Sequence, residues 1–210
     1  MSRWTGNVEL SDRIDTGGII TEAKTGIIGS YYSIQEKPAE ATTKTDDMDR
    51  VTPQASIGWR APVSLSGSSR SMVLEPRLQF AYIGGKDRST DIPNRDSADY
   101  RIDEANLFLL NRYQGYDYLR PGSRADMGIS AVANDALVGD VTGFVGASYR
   151  LSGKPSSGLT VNDDDNLSDI VASLGINPDM PFQINWSGRL ASSDFELNES
   201  QTTVLGKAHK

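Results

Sequence analysis

Few residues in this chain have the types and spacing that chemistry needs. The single histidine, His209, stands next to the last residue in a polar tail, so no serine elsewhere has an imidazole beside it to take its proton. The carboxylates belong to no catalytic motif, and no glycine-rich phosphate loop follows a strand and opens a helix. Asp163, Asp164 and Asp165, flanked by Asn162 and Asn166, offer the hard oxygen ligands that divalent cations prefer. Their spacing lacks the pattern and closing Glu of a calcium loop, and a solvated loop tip is the preferred reading. No catalytic, cofactor-binding or metal-binding residue is assigned, and an enzyme is not expected.

The charges that remain of interest stand where strands are expected. In "VTPQASIGWRAPVSL", Val51 to Leu65, the residues Ala55, Ile57, Trp59, Ala61, Val63 and Leu65 share one face, and Gln54, Ser56, Gly58 and Arg60 the other. In "SMVLEPRLQFAYIG" one side carries Met72, Leu74, Pro76, Leu78, Phe80 and Tyr82, while the other holds Glu75 and Arg77 in mid-strand with Val73, Gln79 and Ala81. Arg60, Glu75 and Arg77 are therefore candidates to line a wet interior, with cross-strand ion pairs that orient neighbouring strands as the preferred reading. The period-two pattern recurs at 124–133, 141–151, 170–176 and 182–190, and nowhere is there a period of 3.6. Pro53, Pro62 and Pro76 point to strand ends or bulges.

Composition narrows what these strands can build. The 210 residues carry a net charge of −7, 20 glycines and no cysteine, with 37% hydrophobic residues. Mean hydropathy is −0.42. No basic cluster exists to neutralise phosphates, so a nucleic-acid partner is not expected. Apolar runs are too short for a transmembrane helix or a doubly buried parallel strand, but strands that alternate between two solvents have a weak hydropathy signal by nature. The opening "MSRWTGNVEL" has no apolar core of a signal peptide. An exported protein would then be expected to contain this chain as an internal piece.

Connections separate the two remaining architectures. "SGSSR" (66–70), "NDALV" (134–138) and "NPDMP" (177–181) have the chemistry of tight hairpins; they alternate with long polar stretches at about 36–50, 84–123 and 152–166. Sorting short turns to one end and long excursions to the other is what outer-membrane barrels do. The expectation is an all-β, antiparallel up-and-down sheet over residues 1–210, one segment of a large outer-membrane β-barrel, open or partial in this fragment. The alternative is a soluble β-sandwich, a carbohydrate-binding or adhesion module. In the barrel, Trp4, Tyr31, Tyr32, Trp59, Tyr82, Tyr149 and Trp186 would be girdle or lipid-facing aromatics.

Several ordered motifs carry a resemblance: "TPQASIGWRAP" (52–62), "LEPRLQFAY" (74–82), "IPNRDS" (92–97), "DEANLFLLNRYQGYD" (103–117), "GSRADMGI" (122–129) and "ASYRL" (147–151). Together they resemble the lipopolysaccharide-assembly family of the bacterial outer membrane called LptD, Imp or OstA, clearly over 51–151. Arg95, where the family usually has an acidic residue, and "YLRPGSR" depart from the pattern. The resemblance implies transport of lipopolysaccharide to the outer leaflet in the Gram-negative outer membrane, with no cofactor. It implies as partners outer-membrane lipid, a plug lipoprotein (LptE-like) and periplasmic bridge proteins reached through an N-terminal domain this chain lacks. This chain would be a middle portion of the C-terminal barrel. Asn106, Asn111, Arg112, Tyr116 and Asp117 mark the family's most recognisable loop, which would fold inward to touch the plug or close the mouth, or else cap itself through side-chain to backbone bonds.

Overall fold

The computed structural model describes residues 2–36, 44–68, 70–86, 92, 96, 101–112, 115–117, 119–135, 139–153, 166–177 and 182–206. Among them ten strands form: β1 (Ser2–Thr16), β2 (Ile19–Glu36), β3 (Lys44–Arg60), β4 (Val63–Ser66), β5 (Arg70–Ile83), β6 (Gly122–Asp135), β7 (Gly139–Gly153), β8 (Ile170–Asn177), β9 (Phe182–Leu190) and β10 (Leu197–Gly206). All pair antiparallel in one sheet, each with its neighbour in sequence, except that β3 and β4 are successive partners of β5. The sheet does not close; β1 and β10 are its edges.

Turn chemistry and prolines set the boundaries. Gly17 and Gly18, both at positive φ, join β1 to β2, as a two-residue hairpin demands. β3 begins at Lys44, so the connection expected over 36–50 is shorter and Lys44 to Arg50 are strand. Pro62 breaks the wall between β3 and β4. Pro76 sits mid-strand without disrupting pairing because its carbonyl, and so its missing N–H, faces that break: Ala61 donates to the Pro76 oxygen at 3.2 Å. Pro53 likewise lies just past the last β3–β5 pair, Gln54 with Ile83.

The register puts every other residue of all neighbours on a common face. Trp59 pairs with Leu78 and Leu78 with Met127; Ile57 pairs with Phe80, and Ile129 with Val145. This face remains open: Trp4 is 77% exposed, Leu10 69% and Phe80 41%. Val63 and Leu65 continue it beyond the break, opposite Leu74 and Met72. Among the described residues no second sheet covers it, so the apolar faces of 51–65 and 71–83 do not meet in a dry centre.

Burial falls on the opposite, polar face. Arg50, Thr52, Gln54, Asp126 and Ser148 are buried there, and Asp126 is 0% exposed. A soluble β protein inverts this distribution. Tyr32 is a correction to the aromatic expectation: it is adjacent to Tyr31 and must point the other way, and it is buried on the polar face while Tyr31 is exposed.

Candidate functional site

What buries the polar face is the connection between β5 and β6. Its start is a local device: Asp103 and Asn106 exchange backbone-to-side-chain bonds, with the Asp103 N–H on Asn106 Oδ1 at 3.0 Å and the Asn106 N–H on Asp103 Oδ1 at 2.8 Å. Asn106 Nδ2 also donates to the Arg101 carbonyl. This reciprocal cap turns the chain so that Leu107 and Phe108 point at the wall. Leu107 is fully buried with Ile102, Phe144 and Val171, and Phe108 meets Phe144 edge-on at 6.5 Å.

Asp126 of β6 is the first anchor. Arg112 from the connection pairs with its Oδ1, Ser148 of β7 donates to the same oxygen at 2.7 Å, and Oδ2 receives Arg124 Nε at 3.1 Å and Gln79 Nε2 of β5 at 3.2 Å. These donors in turn collect the carbonyls of the turn: Leu107 from Arg112, Phe108 from Gln79, and Leu109 and Leu110 from Arg124. A buried carboxylate survives without water because several charge-assisted bonds replace its hydration.

A second anchor reaches the opposite edge. Arg3 of β1 donates to Asp117 Oδ1 at 2.7 Å and pairs with Asp96. Asp96 in turn accepts the N–H groups of Tyr116 and Asp117 at 3.1 and 3.0 Å. Arg50 of β3 donates to the Asp117 carbonyl at 2.9 Å, to the Tyr116 carbonyl and to the Tyr32 hydroxyl at 2.8 Å. Gly115 turns at φ +86° with Asp96 where a Cβ would be, a place no other residue fits without strain. The connection is thereby tied to β1 and β3 at one end and to β5, β6 and β7 at the other.

The residues singled out from sequence divide accordingly. Asn106 caps its own turn, and Asn111 Nδ2 lies 3.4 Å from the Gly115 carbonyl. Arg112, Tyr116 and Asp117 instead bind the wall. Arg60, Glu75 and Arg77 share the polar face as a network: Arg60 reaches Glu22 at 3.2 Å and Glu75 at 3.8 Å, and Arg77 reaches Glu75 at 3.8 Å. Arg77 also stacks its guanidinium on the Phe108 ring at 4.4 Å. Asp163, Asp164, Asp165, Arg95 and His209 lie outside the described residues. Sequence reasoning passed over Arg3, Arg50, Asp96 and Asp126; the available signal was a charge in mid-strand on the polar side, which marks Asp126 as it marked Glu75.

Room for the connection comes from glycines of the wall. A Cβ on Gly146 would stand 2.6 Å from Leu107 Cδ2 and 2.8 Å from the Met127 carbonyl oxygen. Because one of those neighbours is backbone, Gly146→Ala is expected to lift Leu107 off the wall and destabilise by about 1–3 kcal/mol. Limited proteolysis within 84–121 should accelerate in that variant, while Gly143→Ala, whose nearest atom is 4.0 Å away, should match the parent.

Such an arrangement positions a folded segment and leaves polar clefts around it. A family profile described as "LptD: LPS transport system D" matches residues 1–205. "LPS-assembly protein LptD" of Escherichia coli (strain K12) is 29% identical over 178 residues, covering 80% of this chain and 22% of that protein. The protein of the same name from Azoarcus sp. (strain BH72) is 25% identical over 146 residues, 68% of this chain and 17% of its own length. The chain thus spans about a fifth of these relatives.

Proposed function

Because this chain belongs to the LptD family of lipopolysaccharide transport proteins, which are not enzymes, we propose that it forms a middle portion of an outer-membrane barrel wall. In that reading the exposed apolar face meets lipid, and the polar face, with the connection folded over it, lines the passage through which lipopolysaccharide reaches the outer leaflet of a Gram-negative bacterium.

The single observation that supports this most is the inverted burial: large apolar side chains exposed, charged ones buried. A chain whose outer solvent is hydrocarbon gains from that distribution. Where inner strands are paired on both sides, the antiparallel ladder satisfies their backbone as hydrocarbon requires, and the remaining strands of a larger barrel would satisfy β1 and β10. On β3 the apolar row runs from Trp59 to Val51 and then gives way to Asp49 and Asp47, so the hydrocarbon boundary falls there. β2 and β3 project past it on the side of the long connections, taken as the extracellular side. Arg60, Glu75 and Arg77 are lumen residues. The connection bearing Asn106, Asn111, Arg112, Tyr116 and Asp117 narrows the lumen and presents its outer surface to a plug lipoprotein of the LptE-like kind. The periplasmic bridge proteins would be met through parts beyond this chain.

Spin labels test the assignment residue by residue. Single cysteines at 127 to 130, introduced into the cysteine-free chain and reconstituted in vesicles, should alternate: labels at 127 and 129 relax with oxygen, which concentrates in lipid, and labels at 128 and 130 do not. Labels at 127 and 129 that are shielded from oxygen and from a water-soluble relaxant alike would indicate a dry protein interface and overturn the reading.

A further inference from the structure

At the end of the wall that carries the short turns, a cavity of about 660 Å³ opens on the apolar face, lined in part by Leu65 of β4, Met72 of β5, Ala133 of β6 and Val141 of β7. The register makes these four consecutive members of one outward row: Leu65 pairs with Met72, Met72 with Ala133, and Ala133 with Val141. Ala133 is the low point of that row, between the larger Met72 and Val141. Towards the turn from β4 into β5 the lining passes to Ser66, Gly67 and Arg70. The Gly67 N–H donates to the Arg70 carbonyl at 2.8 Å, which closes the turn and holds Arg70 at the rim, where its side chain is exposed.

From this juxtaposition of an apolar cavity with a cation at its mouth we infer that the short-turn rim holds one phosphate-headed diacyl lipid. The inference rests on the reading of the apolar face as lipid-facing, and adds a place where a particular lipid is bound rather than merely adjacent. Charge and polarity fix the occupant. A free phosphate would leave the apolar lining unused, and a hydrocarbon without a headgroup would leave Arg70 unused. An extended peptide fits less well, because β5, β6 and β7 are each paired on both sides and their backbone offers no free edge to a further strand. The ligand is therefore oriented: acyl chain along Met72, Ala133 and Val141, phosphate towards Arg70. A guanidinium has five donors in a fork that matches phosphate oxygens, enough to serve a lipid in addition to a protein acceptor. A cavity of this size falls in the range of about 300–1,000 Å³ typical of small-molecule sites.

Native mass spectrometry on the detergent-solubilised chain tests the site with three probes: dioleoylphosphatidylglycerol, dioleoylglycerol and glycerol 1-phosphate. The phosphatidylglycerol should saturate at one molecule per chain. Dioleoylglycerol, with the same acyl chains and no phosphate, should bind about fivefold more weakly, the effect of one basic residue at a membrane surface. Glycerol 1-phosphate should not displace the lipid at equal concentration. Arg70→Gln should bring the two lipids within about twofold of each other, and Ala133→Phe, which fills the low point of the row, should weaken both by about tenfold or more, each with the strand signal in circular dichroism unchanged. Adducts that do not saturate, a gap between the two lipids that survives Arg70→Gln, undiminished binding to Ala133→Phe, or two chains associating through the cavity without lipid would each overturn the site. Oxygen relaxation at residues 127 and 129 is read separately: if those labels meet lipid and the binding experiment fails, this site is removed and the wall reading stands.

Discussion

Replacing Asp126 by leucine is expected to lower the stability of the wall by about 3–5 kcal/mol, the cost of leaving a buried cation without its counter-charge. Arg112 would bear that cost: its side chain is 6% exposed, and it loses the carboxylate while keeping its bonds to the Leu107 carbonyl and to Ser148 Oγ. Arg124 and Gln79 would lose the same acceptor, though each keeps loop carbonyls. Since those carbonyls belong to residues 107–110, the connection should leave the wall before the ladder itself opens. Limited proteolysis within 84–121 should therefore rise at denaturant concentrations that leave the strand signal intact, with the global urea midpoint shifted afterwards. The double variant Asp126→Leu, Arg112→Met should recover part of the loss, because neither charge is then buried alone. A loss below about 1 kcal/mol for Asp126→Leu would mean that the cluster is hydrated and that the connection does not seal the polar face.

Legibility in the sequence followed the strength of the local period. Phe182 to Leu190 could be bounded from alternation because both faces are consistent over nine residues. β1 and β2 could not, since Asp12 falls on the apolar side among Trp4, Val8, Leu10 and Ile14 and a Gly-Gly pair is the only turn signal between them. The strand–break–strand sequence at 60–63 reads as one alternating run, because the face of Val63 and Leu65 is preserved across Ala61 and Pro62. The site was legible in part. Arg112, Tyr116 and Asp117 stand in a segment too rich in aromatic and charged residues for a spacer, and resemblance drew attention to it. Asp126, the partner of Arg112, stands in the strand that follows the connection, but Arg3 and Arg50 lie in distant strands, and no local period encodes a contact between residues 93 to 114 apart such as those of Arg3 with Asp96 and Asp117. Tyr32 shows the same limit: composition counts it as a girdle aromatic, and only the register assigns it to the polar face.

Arginine at position 129 is the counterpart experiment on the other face. Ile129 lies near the middle of β6, pairs with Pro76 and Val145, and is 40% exposed. If that surface meets hydrocarbon, Ile129→Arg in vesicles should cost about 2–4 kcal/mol, the penalty for a cation at the midplane of a barrel wall. Ser130→Arg, one residue along on the face that carries Glu75 and Arg77, should cost less than about 1 kcal/mol, as expected of a lumen position with water and carboxylates nearby. Moving the same arginine from 129 to 133, opposite Met72 and Val141 and close to the end with the short turns, should reduce the penalty to about 0–1 kcal/mol, since the side chain then reaches the interface. Equilibrium urea unfolding in vesicles measures all three. Equal costs at 129 and 130, or no relief at 133, would mean that the exposed apolar face is covered by protein rather than lipid, and the wall would have to be reassigned as one layer of a packed pair.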